Sequence, residues 1–228
     1  MGDFMNAKAS RSYPTPSIRR LPIYLTLLRR LRDDGVTTVS STLIAKELKL
    51  TGIQVRKDFA MTGIVGRPKV GHATQDLIDH ILRFLGWDRP RDAFLIGVGH
   101  IGTALLAYAD FQRENLNIVA AFDNHPAKIG KTVFGREVLP MSEFKKMVAL
   151  RKVDMAIITV RPATAQEVTD QVVSAGIRGI WSFAPFQVRV PEGVIVEDVL
   201  LQSSLAVLSQ KLTQMQAQSQ DDALQGAS

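Results

Sequence analysis

Phe94-Leu95-Ile96-Gly97-Val98-Gly99-His100-Ile101-Gly102 decides the fold. An apolar run ends in G-x-G-x-x-G, and an Ala- and Leu-rich helical pattern follows at once. The glycines alone are a weak signal, but a strand before them and a helix after them are the context a dinucleotide-binding turn requires. Gly97 permits the tight turn, Gly99 lets a pyrophosphate approach the backbone, and Gly102 lets the helix pack on the sheet. The backbone from Val98 through His100 and Ile101 then offers N–H groups and partial positive charge to phosphates.

Downstream, a second strand is predicted over 117–122, and Asp123 ends it 21 residues after Gly102. A carboxylate there accepts hydrogen bonds from adenosine ribose and repels a 2′-phosphate, which favours NAD(H) over NADP(H). Asn124 follows it. Lys128 reads either as a phosphate neutraliser or as a surface lysine. Further strands over 155–160, 179–183 and 193–197 alternate with helices over 101–114, 142–150 (capped by Ser142) and 164–175. That order predicts a parallel sheet covered by helices. Thr159, Val160 and Phe183, at strand ends, complete the candidate cofactor-binding set.

No catalytic residue stands out. His100 lies inside the phosphate turn and His125 in the loop after Asp123, and no Tyr-x-x-x-Lys pair or His/Asp substrate pair is found. Zero cysteines among 228 residues exclude thiolate metal sites and thiol redox chemistry, and no metal is expected. No apolar run reaches the ~18 residues of a membrane span, and the polar N-terminus lacks a signal-peptide core. A cytoplasmic protein is expected, one that reads a nucleotide rather than transforms it.

Upstream the character changes. Residues 1–90 carry 15 Lys and Arg against 8 Asp and Glu, whereas the remainder carries 13 against 14. The net charge of +6 therefore resides in the first part, as in a polyanion-binding segment or a solvated basic surface. A helix over 18–33 is predicted from Ser17 as N-cap and the stripe Leu21, Tyr24, Leu28 and Leu31. Two short helices with a tight turn follow over 41–61. Ile44, Ala45, Leu48, Leu50, Ile53 and Val55 are spaced as a helix-turn-helix core. The second of these helices turns Gln54, Arg56 and Lys57 away from the core, where Arg can fork onto guanine, Gln can pair with adenine and Lys can meet a phosphate. Residues 63–71 fit a wing presenting Arg67 and Lys69 to an adjacent groove. A helix over 74–85 closes the domain. At the far end, Leu201, Leu205, Leu208, Leu212 and Met215 are spaced 4, 3, 4, 3, a heptad seam that packs on another helix. The expected organisation is an arm over 1–16, a winged-helix domain over 17–88, a Rossmann-like domain over 89–198, a dimerisation helix over 199–218 and a disordered tail over 219–228.

With both constellations in hand, the chain resembles the Rex family of redox-sensing transcriptional repressors over about residues 14 to 212. The resemblance rests on Val39-Ser40-Ser41, Gln54-Val55-Arg56-Lys57-Asp58-Phe59, the glycine turn, Val119-Ala120-Ala121-Phe122-Asp123-Asn124, Lys128-Ile129-Gly130, Ala175-Gly176-Ile177-Arg178-Gly179-Ile180 and Phe183-Ala184-Pro185. It implies an α/β protein, a homodimer of winged helix-turn-helix plus Rossmann-like subunits with an exchanged C-terminal helix. It further implies inverted-repeat operator DNA as partner, NADH and NAD⁺ as regulatory ligands, and DNA contacts that include Ser40 and Ser41. Arg20 and Tyr108 match two members of a family switch, although Tyr108 also reads as an amphipathic core tyrosine.

Several positions depart from the family pattern: Met61-Thr62, the wing Arg67-Pro68-Lys69, Arg161-Pro162, Ser182 for Asn, and Leu200 where the switch has an aspartate, with Asp198 two residues before it. Arg161 and Leu200 motivate a second reading, a regulator of this architecture with another effector. A third is a small NAD-dependent oxidoreductase whose basic helices serve oligomerisation.

Overall fold

The computed structural model describes residues 13–67 and 70–225. The chain forms two units, Met1–Arg89 and Pro90–Ser228.

In the first unit the elements are α1 (Thr15–Asp33), β1 (Thr38–Val39), α2 (Ser41–Glu47), α3 (Gly52–Met61), β2 (His72–Ala73) and α4 (Thr74–Leu85). α1 starts earlier than predicted. Pro14 is its N-cap, and Pro16 is tolerated in the first turn, where a missing N–H costs nothing. Ser17 therefore lies inside the helix rather than capping it, and Thr15 and Pro16 belong to α1 rather than to an arm. Residues 1–12 of that arm lie outside the described residues.

Leu21, Tyr24, Leu28, Ile44, Val55, Phe59, Leu77 and Ile81 form one buried core. Ser40 caps α2, its hydroxyl accepting from the Leu43 amide at 3.1 Å. Ile53, expected in this core, is 59% exposed instead. Val55 and Phe59 set the inward stripe of α3, and two residues of helix turn Ile53 about 200° away from Val55. The wing expected over 63–71 is tied down by backbone pairing. Arg67 and Gly71 exchange two backbone hydrogen bonds around a turn, and β2 then pairs antiparallel with β1, His72 opposite Val39. Gly71 has φ +95°, and a Cβ there would overlap the Val39 carbonyl.

The second unit comprises β3 (Arg91–Ile96), α5 (His100–Ala107), a 3₁₀ turn (Ala109–Glu114), β4 (Leu116–Asp123), β5 (Thr132–Val133), β6 (Arg136–Pro140), a second 3₁₀ turn (Met141–Glu143), α6 (Phe144–Arg151), β7 (Met155–Ile158), α7 (Pro162–Ser174), β8 (Gly179–Ser182), β9 (Ile195–Asp198) and α8 (Leu201–Gln225). The seven strands lie in the order β5-β6-β4-β3-β7-β8-β9. All neighbours are parallel except β5 and β6. Ala93 to Ile96 of β3 are buried, as a central strand covered on both faces must be. The chain proceeds from β3 to β4 on one side and to β7 on the other, so the carboxyl end of β3 is the topological switch point, where α/β sheets bind ligands.

Three expectations are corrected in this unit, and one element goes beyond them. The helix after the glycine turn ends at Ala107, where Tyr108 goes extended and the chain tightens into 3₁₀. Ser142 lies in a 3₁₀ turn and does not cap α6. The β5–β6 hairpin was not foreseen. Its turn, Phe134-Gly135, takes positive φ at both residues, and Phe134 carries none of the Asn or Asp chemistry that signals such a turn. Finally, of the tail expected over 219–228, residues 219–225 continue α8 and residues 226–228 lie outside the described residues. The seam residues Leu201, Leu205, Leu208, Leu212 and Met215 are all exposed, by 45 to 66%.

Candidate nucleotide and DNA sites

The glycine turn joins β3 to α5, and each glycine has its own surroundings. Gly97 has φ +97°, and a Cβ would sit 2.9 Å from the Thr159 carbonyl oxygen. Gly102 is buried, and a Cβ there would overlap the Gly97 carbonyl oxygen and lie 2.8 Å from Thr159 Oγ1. Its close contact is thus with the turn itself and with the end of β7. Gly99 differs: a Cβ there would meet nothing within 4 Å among the described residues. The turn is closed on two sides and open on the third. Gly99, His100 and Ile101 are exposed on the open side, at the N-terminus of α5. The first turn of a helix has N–H groups without helical partners, so an anion approaching Gly99 meets donors and the positive end of the dipole.

Asp123 ends β4 beside this turn. Its Oδ2 accepts from the Val98 amide at 2.8 Å and from Lys128 Nζ at 2.9 Å, while Oδ1 accepts from the His125 amide at 2.8 Å. Burial works against its charge, but Lys128 and the two amides outweigh burial and hold the carboxyl below the usual carboxylate range. Lys128 is thus held in an ion pair with Asp123 at the end of β4. A carboxylate has about four acceptor sites, so roughly one remains for a ribose hydroxyl.

The other candidates surround the same strand ends. Thr159 fastens β7 to the turn, its hydroxyl donating to the carbonyls of Gly97 and Ile96 and its amide to Ile96. Val160 is half-buried beside Gly97. Phe183, also half-buried, donates its amide to the Ile158 carbonyl at 2.8 Å and packs on Trp181. Asn124 and His125 are exposed, and Arg161 is exposed as the N-cap of α7. The residues fit a dinucleotide: an open glycine face for its phosphates, an acid at the end of β4 for a ribose, and apolar ends of β7 and β8 for an aromatic ring. Among the described residues, no cluster of His, Asp or Glu is arranged to hold a metal, and no helix is long and apolar enough to cross a membrane.

In the first unit, Arg56 and Lys57 are exposed on α3, opposite the buried Val55 and Phe59. Exposed Ile53 lies on the same stripe, at the i, i+3, i+4 spacing with Arg56 and Lys57. An apolar side chain there can meet a thymine methyl, so Ile53 is a candidate that pattern reading misplaced but helical spacing could have found. Gln54 is exposed, yet its Oε1 accepts from the amide and hydroxyl of Thr51 at 3.1 Å each, completing a capping box. Ser40 is exposed and occupied as a cap, Ser41 is half-buried, and Arg67 is exposed at the wing. Lys69 lies outside the described residues.

Of the two switch candidates, Tyr108 is 53% exposed and stacks edge-on against Phe111 at 4.8 Å, so it is not a core tyrosine. Arg20 is engaged within its own unit. Its Nε and Nη2 donate to the two carboxylate oxygens of Asp58 at 2.7 and 2.8 Å, and Tyr24 donates its hydroxyl to Asp58 at 2.7 Å. Burial would raise the Asp58 pKa, but Arg20, Tyr24 and Ser17 together lower it. The Arg20 guanidinium is held even more firmly protonated by Asp58, and burial followed by the bond to Asp58 raises the Tyr24 phenol.

A winged helix with a cationic outer stripe, carried by one chain with a Rossmann-like domain whose glycine turn stands open, defines a class: DNA-binding regulators with a built-in nucleotide module. The chain is 45% identical over 193 residues to the redox-sensing transcriptional repressor Rex of Treponema denticola, covering 85% of this chain and 92% of the relative. It belongs to the Rex family. The Carboxydothermus hydrogenoformans Rex is 41% identical over 196 residues, 86% of this chain and 94% of that one. Residues 13–60 match the family described as putative DNA-binding protein N-terminus, and residues 88–186 match the CoA binding domain family. The solved structure of RSP in complex with β-NAD⁺ and operator DNA aligns with a TM-score of 0.85 at 29% identity, covering 92% of this chain and 97% of that one. RSP in complex with β-NADH aligns with a TM-score of 0.83, also at 29% identity, covering 92% and 99%.

Proposed function

We propose that this chain is a transcriptional repressor, not an enzyme, that binds operator DNA when NADH is low and leaves it when NADH is high. The observation that carries the reading is the pairing within one chain of the open Gly99 face and the outward Ile53, Arg56 and Lys57 stripe. Support comes from relatives named as redox-sensing repressors and from RSP, solved with each redox form of the dinucleotide and, with β-NAD⁺, on operator DNA.

The residues take these roles. Gly97 and Gly102 shape the turn, Gly99 leaves room for the pyrophosphate, and Asp123 holds a ribose. Thr159 fixes β7 to the turn, and Val160 and Phe183 flank the nicotinamide end. The bound dinucleotide supplies a ring whose charge and shape differ between its two redox states. By linkage, it shifts DNA affinity only as far as it prefers one arrangement of the protein over another. Arg56, Lys57, Ile53 and Gln54 meet the major groove, with Ser40 and Ser41 at phosphates and Arg67 and Lys69 on the wing. The α8 seam assembles a homodimer, which matches an inverted-repeat operator. A protein of this kind works in the cytoplasm, where its DNA is.

The test is titration of an operator complex with NADH and, separately, NAD⁺ at fixed moderate salt. The duplex is an inverted repeat enriched by the protein from a random pool. Release at far lower NADH than NAD⁺ is expected. Equal release by both, or none, overturns the redox reading and favours the regulator with another effector, for which Arg161 and Leu200 are the motivating positions.

A further inference from the structure

We propose that Asp58 is a positioning residue for base reading, fixing the roll of α3 through Arg20 and Tyr24; the proposal rests on the DNA-binding reading above. Asp58 is 1% exposed, and both of its oxygens are taken by the Arg20 fork, with the Tyr24 hydroxyl on Oδ2. Arg20 is itself oriented by Nη2 donating to Ser17 Oγ at 3.0 Å. Ser17, Arg20 and Tyr24 lie on one stripe of α1, so α1 presents a prebuilt clamp to a single residue of α3.

That residue directly follows Arg56 and Lys57. Successive residues of a helix are about 100° apart, so the direction in which Asp58 points sets the direction of the outward stripe. Val55 and Phe59 also hold α3 down, but apolar burial is non-directional. The forked, charge-assisted bonds do prefer a direction. A roll of about 20° moves a side-chain tip about 6 Å from the helix axis by roughly 2 Å, enough to break a bidentate base contact. Arg20 and Asp58 neutralise each other on the inner side of α3. Salt-dependent attraction to phosphates, which comes from Lys and Arg facing the duplex, does not use them. A buried ion pair of this kind is weak as a source of net stability. It is better suited to holding an angle.

The experiment uses the full chain and two duplexes of equal length, one enriched by the wild type from a random pool and one scrambled, with binding followed by anisotropy at fixed salt. Arg20→Lys keeps the charge but replaces the fork with one point donor. It is expected to weaken binding to the enriched duplex about tenfold or more and to leave the scrambled duplex within about twofold. Asp58→Asn is expected to do the same. If Asp58→Asn fails to fold, Arg20→Lys decides. Wild-type discrimination by Arg20→Lys, or equal loss on both duplexes, overturns the proposal. If the wild type itself enriches no duplex, the DNA-binding reading fails, and this proposal fails with it.

Discussion

The amide of Val98 donates to Oδ2 of Asp123 at 2.8 Å, across 25 residues of sequence. The glycine turn and the acidic end of β4 are therefore joined before any ligand arrives. Asp123→Asn keeps the shape but removes the charge that Lys128 and the amides hold in place. NADH affinity measured by calorimetry should fall about tenfold or more, with a stability loss of about 1 kcal/mol. Unchanged affinity would remove Asp123 from the ribose site.

Gly99 and Gly102 should respond in opposite ways. Gly102→Ala drives a methyl into the Gly97 carbonyl and should cost about 1–3 kcal/mol of stability in thermal or denaturant melts. Gly99→Val meets open space and should melt within about 0.5 kcal/mol of wild type. It should nevertheless lose NADH binding, and its DNA complex should resist NADH. If the Gly99→Val complex is released by NADH as the wild type is, the phosphates lie elsewhere.

The first unit should soften in acid in two windows. His72 packs edge-on against Phe59, Gly66 lies close beside its ring, and its buried Nδ1 has no hydrogen-bond partner among the described residues. Burial, and then His80, lower its pKa, so the folded state prefers the neutral ring. Its contribution is complete above the ordinary value of about 6.5 and is lost as pH falls below that. Asp58, also depressed, contributes above the ordinary value of about 3.9, and its share is lost as pH falls through its lower folded value. Melting temperature followed from about pH 7.5 down to 3 should show both limbs. His72→Phe should flatten the upper limb alone.

Leu205 and Leu208 are 62% and 56% exposed on adjacent turns of α8. If this seam makes the homodimer, Leu208→Glu places a charge in it at a cost of several kcal/mol. Sedimentation should then show monomers, and operator affinity should fall, because one half-site binds weakly. A dimer that survives unchanged would place the interface elsewhere.

Much of this could be read from local chemistry. The glycine turn and the acid at Asp123 are short-range signals, and each stands where its pattern placed it. What escaped was set by tertiary demands. The helix after the turn breaks at Tyr108 although Ala and Leu favour helix, because the chain must return to start β4 at Leu116. Ile53 looked like core because it is apolar, yet the stripe through Val55 and Phe59 outvoted it. The partners of Arg20 and Lys128 lie 38 and 5 residues away, and only folding decides which carboxylate a cation meets.

The capping box at the start of α3 also changes what Gln54 can say to DNA. With its carbonyl oxygen spent on Thr51, the amide keeps only its two N–H donors. It cannot both accept from and donate to an adenine edge. A donor alone is satisfied by N7 of either purine, by O6 of guanine or by O4 of thymine. The operator position facing Gln54 should therefore tolerate substitution, leaving stringency to the bases under Arg56.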